Sequence, residues 1–285
     1  MKGVIAAAGK GSRLFPLTKS VSKHLLPVYN KPLIYYPITT LISAGIKDIC
    51  IVTNPNEIFL YKKLLGNGSD YGCNFEFCEQ MESKGIPDVL NYSKEVFGKV
   101  PITLILGDNI FASVDLLSNS FNTNEEKGAK IFATQVDDPC RFGVVQFENN
   151  MNILDITEKP RNPKSNFAVI GLYVFDEIVY EYLPVIKPSI RNELEITDIL
   201  NMYLLNDALS LDIIKKGSIW FDAGTPDSLL RASVYIELFE RQSGVMIGSV
   251  EEAALVNNLI SKKQIINLIK SMKDSEYKRY LETLL

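Results

Sequence analysis

From the N-terminus to residue 110, short apolar runs alternate with amphipathic stretches. Residues 4–8, 46–53 and 102–106 are apolar runs rich in small and β-branched side chains, and residues 74–78 alternate apolar with polar. These four runs predict strands. Helical spacing fills the intervals at residues 33–44, 57–65 and 85–96. Pro37 suits the start of the first helix and Gly45 its stop, while Gly66-Asn67-Gly68 ends the second. Pro87 and Asp88 fall in the first turn of the third, where a fixed φ and a negative charge both help. Strand–helix alternation predicts right-handed βαβ units and a mostly parallel sheet.

Beyond residue 110 the pattern changes. Residues 130–136, 141–147, 153–158 and 168–175 read as strands, with an Asn149-Asn150 turn between two of them. A helix at 195–205, with Thr197 and Asp198 near its start, leads to a strand at 209–215. Trp220-Phe221-Asp222-Ala223-Gly224-Thr225 then precedes a long helix at 226–243 with Asp227 in its first turn. The remainder is helical at 251–257, 263–272 and 276–285; Ile265, Ile266, Ile269 and Met272 sit at helical spacing. With no internal repeat or low-complexity linker, the expectation is an α/β fold: one body with a mixed central sheet over residues 1–243. A helical extension, residues 244–285, is expected to pack on that body or on a sister subunit.

Composition narrows the chemistry. A chain of 285 residues, 46% hydrophobic and 22% charged, can bury a core without metal or disulfide staples. Its net charge of −4 gives no general field for nucleic acid or an anionic membrane, so any basic site is local. Cys50, Cys73, Cys78 and Cys140 lack the close grouping that zinc requires. The chain enters a strand almost at once, which argues against a signal peptide. No apolar run approaches the roughly 20 residues that span a membrane. A cytoplasmic location is the expectation. The single histidine, His24, lies beside Lys23 with no G-x-S-x-G nearby, which argues against a Ser-His-Asp hydrolase.

The local basic site is the loop after the first strand. Residues 4–27 carry Gly9 and Gly11, followed by Ser12, with the cations Lys10, Arg13 and Lys23. Glycine permits a tight wrapping loop, successive N–H groups bind anions, and Arg offers forked contacts to phosphate oxygens. A bare G-x-G is more often an ordinary surface loop; the preceding strand and three cations favour a polyphosphate site. Gln80 and Asp108 also follow strands, and in parallel sheets ligands bind beyond the strands' carboxyl ends. Asp108 reads equally as a Mg²⁺ ligand or an Asx-turn, and Asp222 as a second ligand or a helix cap that Thr225 contests. Glu158-Lys159 could hold a phosphorylated sugar, although a strand end before Pro160 accounts for it as well. Residues 191–197 read first as a helix start.

These segments together resemble the sugar-1-phosphate nucleotidylyltransferase family. The resemblance runs through AAAGKGSRLFPLT, SKHLLPVYNKP, KPLIYYPI, LGNGSDYG, Glu79-Gln80, LGDNIF, RFGVVQF, EKPRNPKSNFAVIGLYVFD, ELEITDI and WFDAGTPDSL, covering nearly the whole chain. It is strongest to members that join dTTP to glucose 1-phosphate; uridylyl or cytidylyl transfer, or a binding-only relative, are the alternatives. The resemblance implies a Rossmann-like nucleotidyltransferase fold, Mg²⁺-dependent transfer, and a homotetramer with a regulatory nucleotide site near the helical tail. It implies that Ala6, Ala7, Ala8, Gly9, Gly11 and Ser12 line the nucleotide and that Gln80 and Gly85 meet the base. Arg13 and Lys23 would hold the phosphates, Asp108 and Asp222 would bind Mg²⁺, and Arg13, Lys23 and Asp108 would be catalytic. Gly143, Glu158, Lys159 and Val169, with Lys23, would contact the sugar phosphate.

Three positions depart from the family pattern. Ala8 replaces a usual Gly, His24 a common Gln, and Gly85-Ile86-Pro87-Asp88-Val89 a usual Gly-Leu-Ala-Gln-Ala. Asp88 puts an acceptor-only carboxylate where an amide could also donate. That makes it a candidate for substrate selectivity, with a plain helix-start role as the equal alternative.

Overall fold

The computed structural model describes residues 1–82, 84–111, 127–214 and 218–285. In chain order its strands are β1 (Lys2–Ala7), β2 (Pro27–Val28), β3 (Lys31–Pro32), β4 (Asp48–Thr53), β5 (Asn74–Glu79), β6 (Ile102–Leu106) and β7 (Asn109–Phe111). They continue with β8 (Ala129–Gln135), β9 (Gly143–Phe147), β10 (Ile153–Glu158), β11 (Phe167–Phe175), β12 (Leu209–Ile213) and β13 (Trp220–Asp222). The expected strand end at Lys215 lies outside the described residues.

One sheet runs β10-β9-β11-β6-β1-β4-β5, with β8 against β11 and β12 against β8. The alternating first part of the chain gives its parallel portion: β1 pairs in parallel with β4 and β6, and β4 with β5. The strand-rich second part adds antiparallel pairs, β11 with β6, β8 and β9, and β9 with β10. The long strand β11 changes partner along its length. Ala168 pairs with Val144 of β9, whereas Leu172–Phe175 pair with β6. Its register with β8 also slips between Val169 and Tyr173. The sheet therefore parts around residues 169–171.

Alternation along β1 separates two cores. Val4 faces a core shared with Cys50, Val52, Leu104 and Tyr173, covered by helices Asp88–Phe97 and Ile196–Leu205. Ile5 and Ala7 face the other, built with Ile38 and Leu41 of helix Tyr35–Ser43. Each large apolar side chain buried this way contributes about 1.5–3 kcal/mol. The C-terminal helices Val250–Val256, Lys262–Ser271 and Glu276–Glu282 close the second core through Val250, Ala254, Ile265, Ile269 and Leu281. Ser249, Ser261 and Ser275 each cap one of these helices by accepting from a backbone N–H in its first turn. A third, smaller core joins the β2–β3 hairpin to Ile110, Ala223 and helix Pro226–Ser243. Thr225 and Ser228 form that helix's capping box, so Asp222 is released from the capping duty it could have taken. No helix among the described residues is long and apolar enough to cross a membrane.

Candidate active site

Where the sheet parts, a cleft of about 330 Å³ opens. The opening loop forms one wall. Asn54, the residue directly after β4, clamps the loop by accepting from Gly9 N at 2.6 Å and donating to Gly9 O at 3.1 Å. Thr18 Oγ1 donates to Gly11 O at 2.9 Å. Gly9 and Gly11 adopt φ of 129° and 57°, a region that L side chains avoid. Ala8 is not among the positive-φ residues, so its methyl in place of Gly puts no strain on the loop. Ala6 and Ala8 line the cleft; Ala7 alternates to the opposite face and packs in the core. Gly9, Gly11 and Ser12 frame the loop without lining the cleft.

The charged centre comes from four separate segments, which supply Lys23, Asp108, Arg141 and Asp222. Lys23 Nζ donates to Asp108 Oδ2 at 2.5 Å, both side chains largely buried. Asp108 follows β6 and Asp222 ends β13. The short antiparallel pair β7–β13 sets Asp222 opposite Asn109, which brings the two carboxylates together. Asn109 locks the corner. Its Nδ2 donates to Asp108 Oδ1 at 3.1 Å, and its Oδ1 accepts from Trp220 Nε1 at 2.6 Å and Gly171 N at 3.0 Å. Arg141 Nη2 donates to Asp222 Oδ2 at 3.3 Å. Burial opposes ionisation of Asp108, but Lys23, His24 and the bonds from Lys23 and Asn109 outweigh it and hold the carboxyl below its usual range. Asp222 is pushed up by burial and then by Asp108's charge, against the pull of Arg13, Lys23 and Arg141. His24 lies behind this centre, with Nδ1 3.3 Å from Ser22 Oγ and 3.4 Å from Tyr61 Oη. Burial, then Lys23, lower its pKa to about 3, so it is neutral at pH 7.

The far wall is built on the strand ends beyond the split. Gly143 and Val169 line it, and Glu158 accepts from Lys159 and Arg191, each at 3.2 Å. Arg191 also donates to Glu195, which accepts from Ser189 Oγ at 2.5 Å. Gln80 and Gly85 close the remaining side. Gly85, at φ 100°, pairs with Leu194, and an added Cβ would meet Leu194 O at 2.2 Å. Asp88 does not line the cleft; its Oδ2 accepts from Gln80 Nε2 at 2.8 Å.

Residues 2–238 match the nucleotidyl transferase family. The chain belongs to that family. Its relatives include the glucose-1-phosphate thymidylyltransferase of Neisseria meningitidis, 41% identical over 286 residues, covering 100% of this chain and 99% of that one. The enzyme of the same name from Mycolicibacterium smegmatis is 40% identical over 285 residues, with coverage of 100% and 99%. A Bacillus anthracis crystal structure assigned that activity, in complex with a sucrose, aligns with a TM-score of 0.76 at 42% identity, covering 82% of this chain and 94% of that one. A UDP-glucose pyrophosphorylase complexed with UDP-glucose aligns with a TM-score of 0.73 at 26% identity, covering 83% and 98%.

In this nucleotidyl transferase the cleft also gathers residues to which sequence reasoning gave no role. Arg141 was expected only as a strand start, yet β9 begins at Gly143 and Arg141 is free to turn to Asp222. Residues 191–197 do start a helix, yet Arg191, Glu195 and Thr197 also line the cleft. An Arg followed by two glutamates, Glu193 and Glu195, just before an apolar helix was the available signal. Asn109 and Asn54 gave none beyond turn chemistry.

Proposed function

We propose that this chain is a glucose-1-phosphate thymidylyltransferase, converting dTTP and glucose 1-phosphate into dTDP-glucose and pyrophosphate. The observation that carries this reading is near-full-length identity of about 40% to enzymes of that name. The grouping of Lys23, Asp108, Asp222 and Arg141 in one cleft supports it. The likeness to a UDP-glucose pyrophosphorylase is weaker in identity, and uridylyl transfer is the second reading.

An oxygen of the sugar 1-phosphate attacks the α-phosphorus of the nucleotide. The new oxygen–phosphorus bond forms as the bond to the bridging oxygen of pyrophosphate breaks, and its electron pair leaves with pyrophosphate. The nucleophile is anionic at neutral pH and needs no general base, which accords with a chain whose one histidine is buried and neutral. Catalysis is then positioning and charge stabilisation. Arg13 and Lys23 hold the phosphates. Ala6, Ala8, Gln80 and Gly85 take the nucleoside, and Gly143, Glu158, Lys159 and Val169 the sugar phosphate.

Asp108 and Asp222 would hold Mg²⁺. Two adjacent, desolvated carboxylates, with the charge of Asp108 raising the cost of ionising Asp222, suit a divalent cation, and no cluster of three or more possible protein ligands exists among the described residues. Magnesium characteristically takes one or two carboxylates and completes its shell with water and phosphate. When bound, the ion would neutralise charge on the transferring phosphates. A homotetramer belongs to this reading through the family resemblance, and a cytoplasmic location through the sequence's apolar pattern.

The test is pyrophosphate release across dTTP, UTP and CTP, each with glucose 1-phosphate and its epimers. The fastest pair should be dTTP with glucose 1-phosphate. A clear preference for UTP would move the assignment to the second reading, and no release with any pair would remove both.

A further inference from the structure

Gln80 is a buried amide at the carboxyl end of β5, and it lines the cleft beside Ala6, Ala8, Ile86, Val89 and Leu106. Those neighbours offer a flat heterocycle mostly apolar surface, so the amide dominates the polar recognition on this wall. Which way the amide faces therefore matters, and Asp88 decides it. Gln80 Nε2 donates to Asp88 Oδ2 at 2.8 Å and lies 3.5 Å from Gly85 O. Both partners are oxygens that accept only. Turning the amide over would set Oε1 against two acceptors and leave the NH₂ without them. Among the described residues none donates to Oε1.

We propose that Asp88 is the positioning residue that sets base selectivity, by holding the Gln80 NH₂ behind the cleft wall so that the carbonyl Oε1 is what the base meets. This rests on the nucleotide reading given above. An acceptor at that wall pairs with a ring N–H. Thymine and uracil present N3–H. Cytosine presents a bare ring nitrogen at the same position, so acceptor would face acceptor. A site built to bond one edge rejects the other strongly, because its buried polar group is left unpaired. An amide at position 88 could donate or accept, and would let Gln80 settle either way round. The carboxylate removes that freedom. It does not read the 5-methyl group, so thymine and uracil should respond together.

The test compares wild type with Asp88→Asn, Asp88→Glu and Gln80→Met, measuring kcat and KM for dTTP, dUTP and dCTP with glucose 1-phosphate. In Asp88→Asn the preference for dTTP and dUTP over dCTP should fall by about ten-fold or more, chiefly through higher KM for the first two. Asp88→Glu keeps acceptor-only chemistry and should retain most of the preference. Gln80→Met should lose it. The proposal is overturned if Asp88→Asn keeps the wild-type ratio within about two-fold, or if all three nucleotides weaken in parallel, as a merely structural role requires. A wild type that does not favour dTTP and dUTP over dCTP overturns it too, while leaving nucleotidyl transfer standing. If no nucleotide is turned over, the functional reading fails instead; calorimetric binding of dTTP and dCTP to the same proteins then decides the role of Asp88.

Discussion

Acid should destabilise this fold through one side chain well before its carboxylates protonate. His24 is 1% exposed, and burial with the neighbouring Lys23 charge lowers its pKa from 6.5 to about 3. The unfolded chain takes up a proton near pH 6.5 that the folded chain refuses, so stability falls as pH drops through that window and levels off below pH 3. Each pH unit within it costs about 1.4 kcal/mol, which amounts to about 2 kcal/mol by about pH 5. The perturbation is His24→Gln. An amide can still meet Ser22 and Tyr61 but does not titrate, and the family pattern commonly has Gln here. Urea unfolding of both proteins near pH 7.5 and pH 5, at fixed ionic strength and without ligand, isolates the histidine because every other titrating group is common to the two. Wild type should lose about 2 kcal/mol more than the variant between these conditions. Equal losses would refute the burial argument for His24.

Lys23→Ala and Asp108→Ala should each lose most turnover, at least about 100-fold, while retaining native circular dichroism; near-normal kcat in either would remove that residue from the chemistry. Gly171→Ala puts a Cβ 2.6 Å from Leu106 Cγ and 2.8 Å from Asn109 Cγ, and overpacking of this kind should destabilise by about 1–3 kcal/mol while displacing the Asp108 corner. An unchanged unfolding midpoint would show that the corner yields freely. Tyr277→Phe removes the hydroxyl that donates to Glu251, a buried carboxylate whose pKa burial already raises. Leaving that group unsatisfied should cost about 1–3 kcal/mol at neutral pH, read from thermal or urea unfolding, and the loss should shrink as pH falls and Glu251 protonates.

The parallel half of the sheet was legible because β1, β4 and β6 are buried runs whose apolar content leaves little choice of element. The helix start at Pro226 followed from local chemistry that tertiary context did not override, whereas the helix expected from residue 85 begins at Asp88, because Gly85 is drawn into pairing with Leu194. The two-residue strands β2 and β3 and the three-residue strands β7 and β13 were not legible, since a pattern that short has no period. That omission bears directly on the site, for β7–β13 pairing is what sets Asp222 beside Asp108. The same holds for β11, which reads as one continuous strand in sequence; only the change of partner from β9 to β6 creates the opening. Residue type could single out Arg13, Lys23, Asp108 and Asp222, but not that they line one cleft. Arg191 shows the reverse case: a local capping explanation was sufficient, and it concealed the side chain's reach to Glu158.

What matters most is whether this cleft joins a sugar 1-phosphate to the α-phosphate of dTTP. Purified chain incubated with dTTP, glucose 1-phosphate and Mg²⁺ tests it most directly, with the products identified by mass spectrometry and the glucose 1-phosphate labelled with ¹⁸O at the oxygen bridging sugar and phosphorus. The expected products are dTDP-glucose with the label retained between sugar and phosphorus, together with unlabelled pyrophosphate. Absence of dTDP-glucose, or label lost from that bridge, would contradict it.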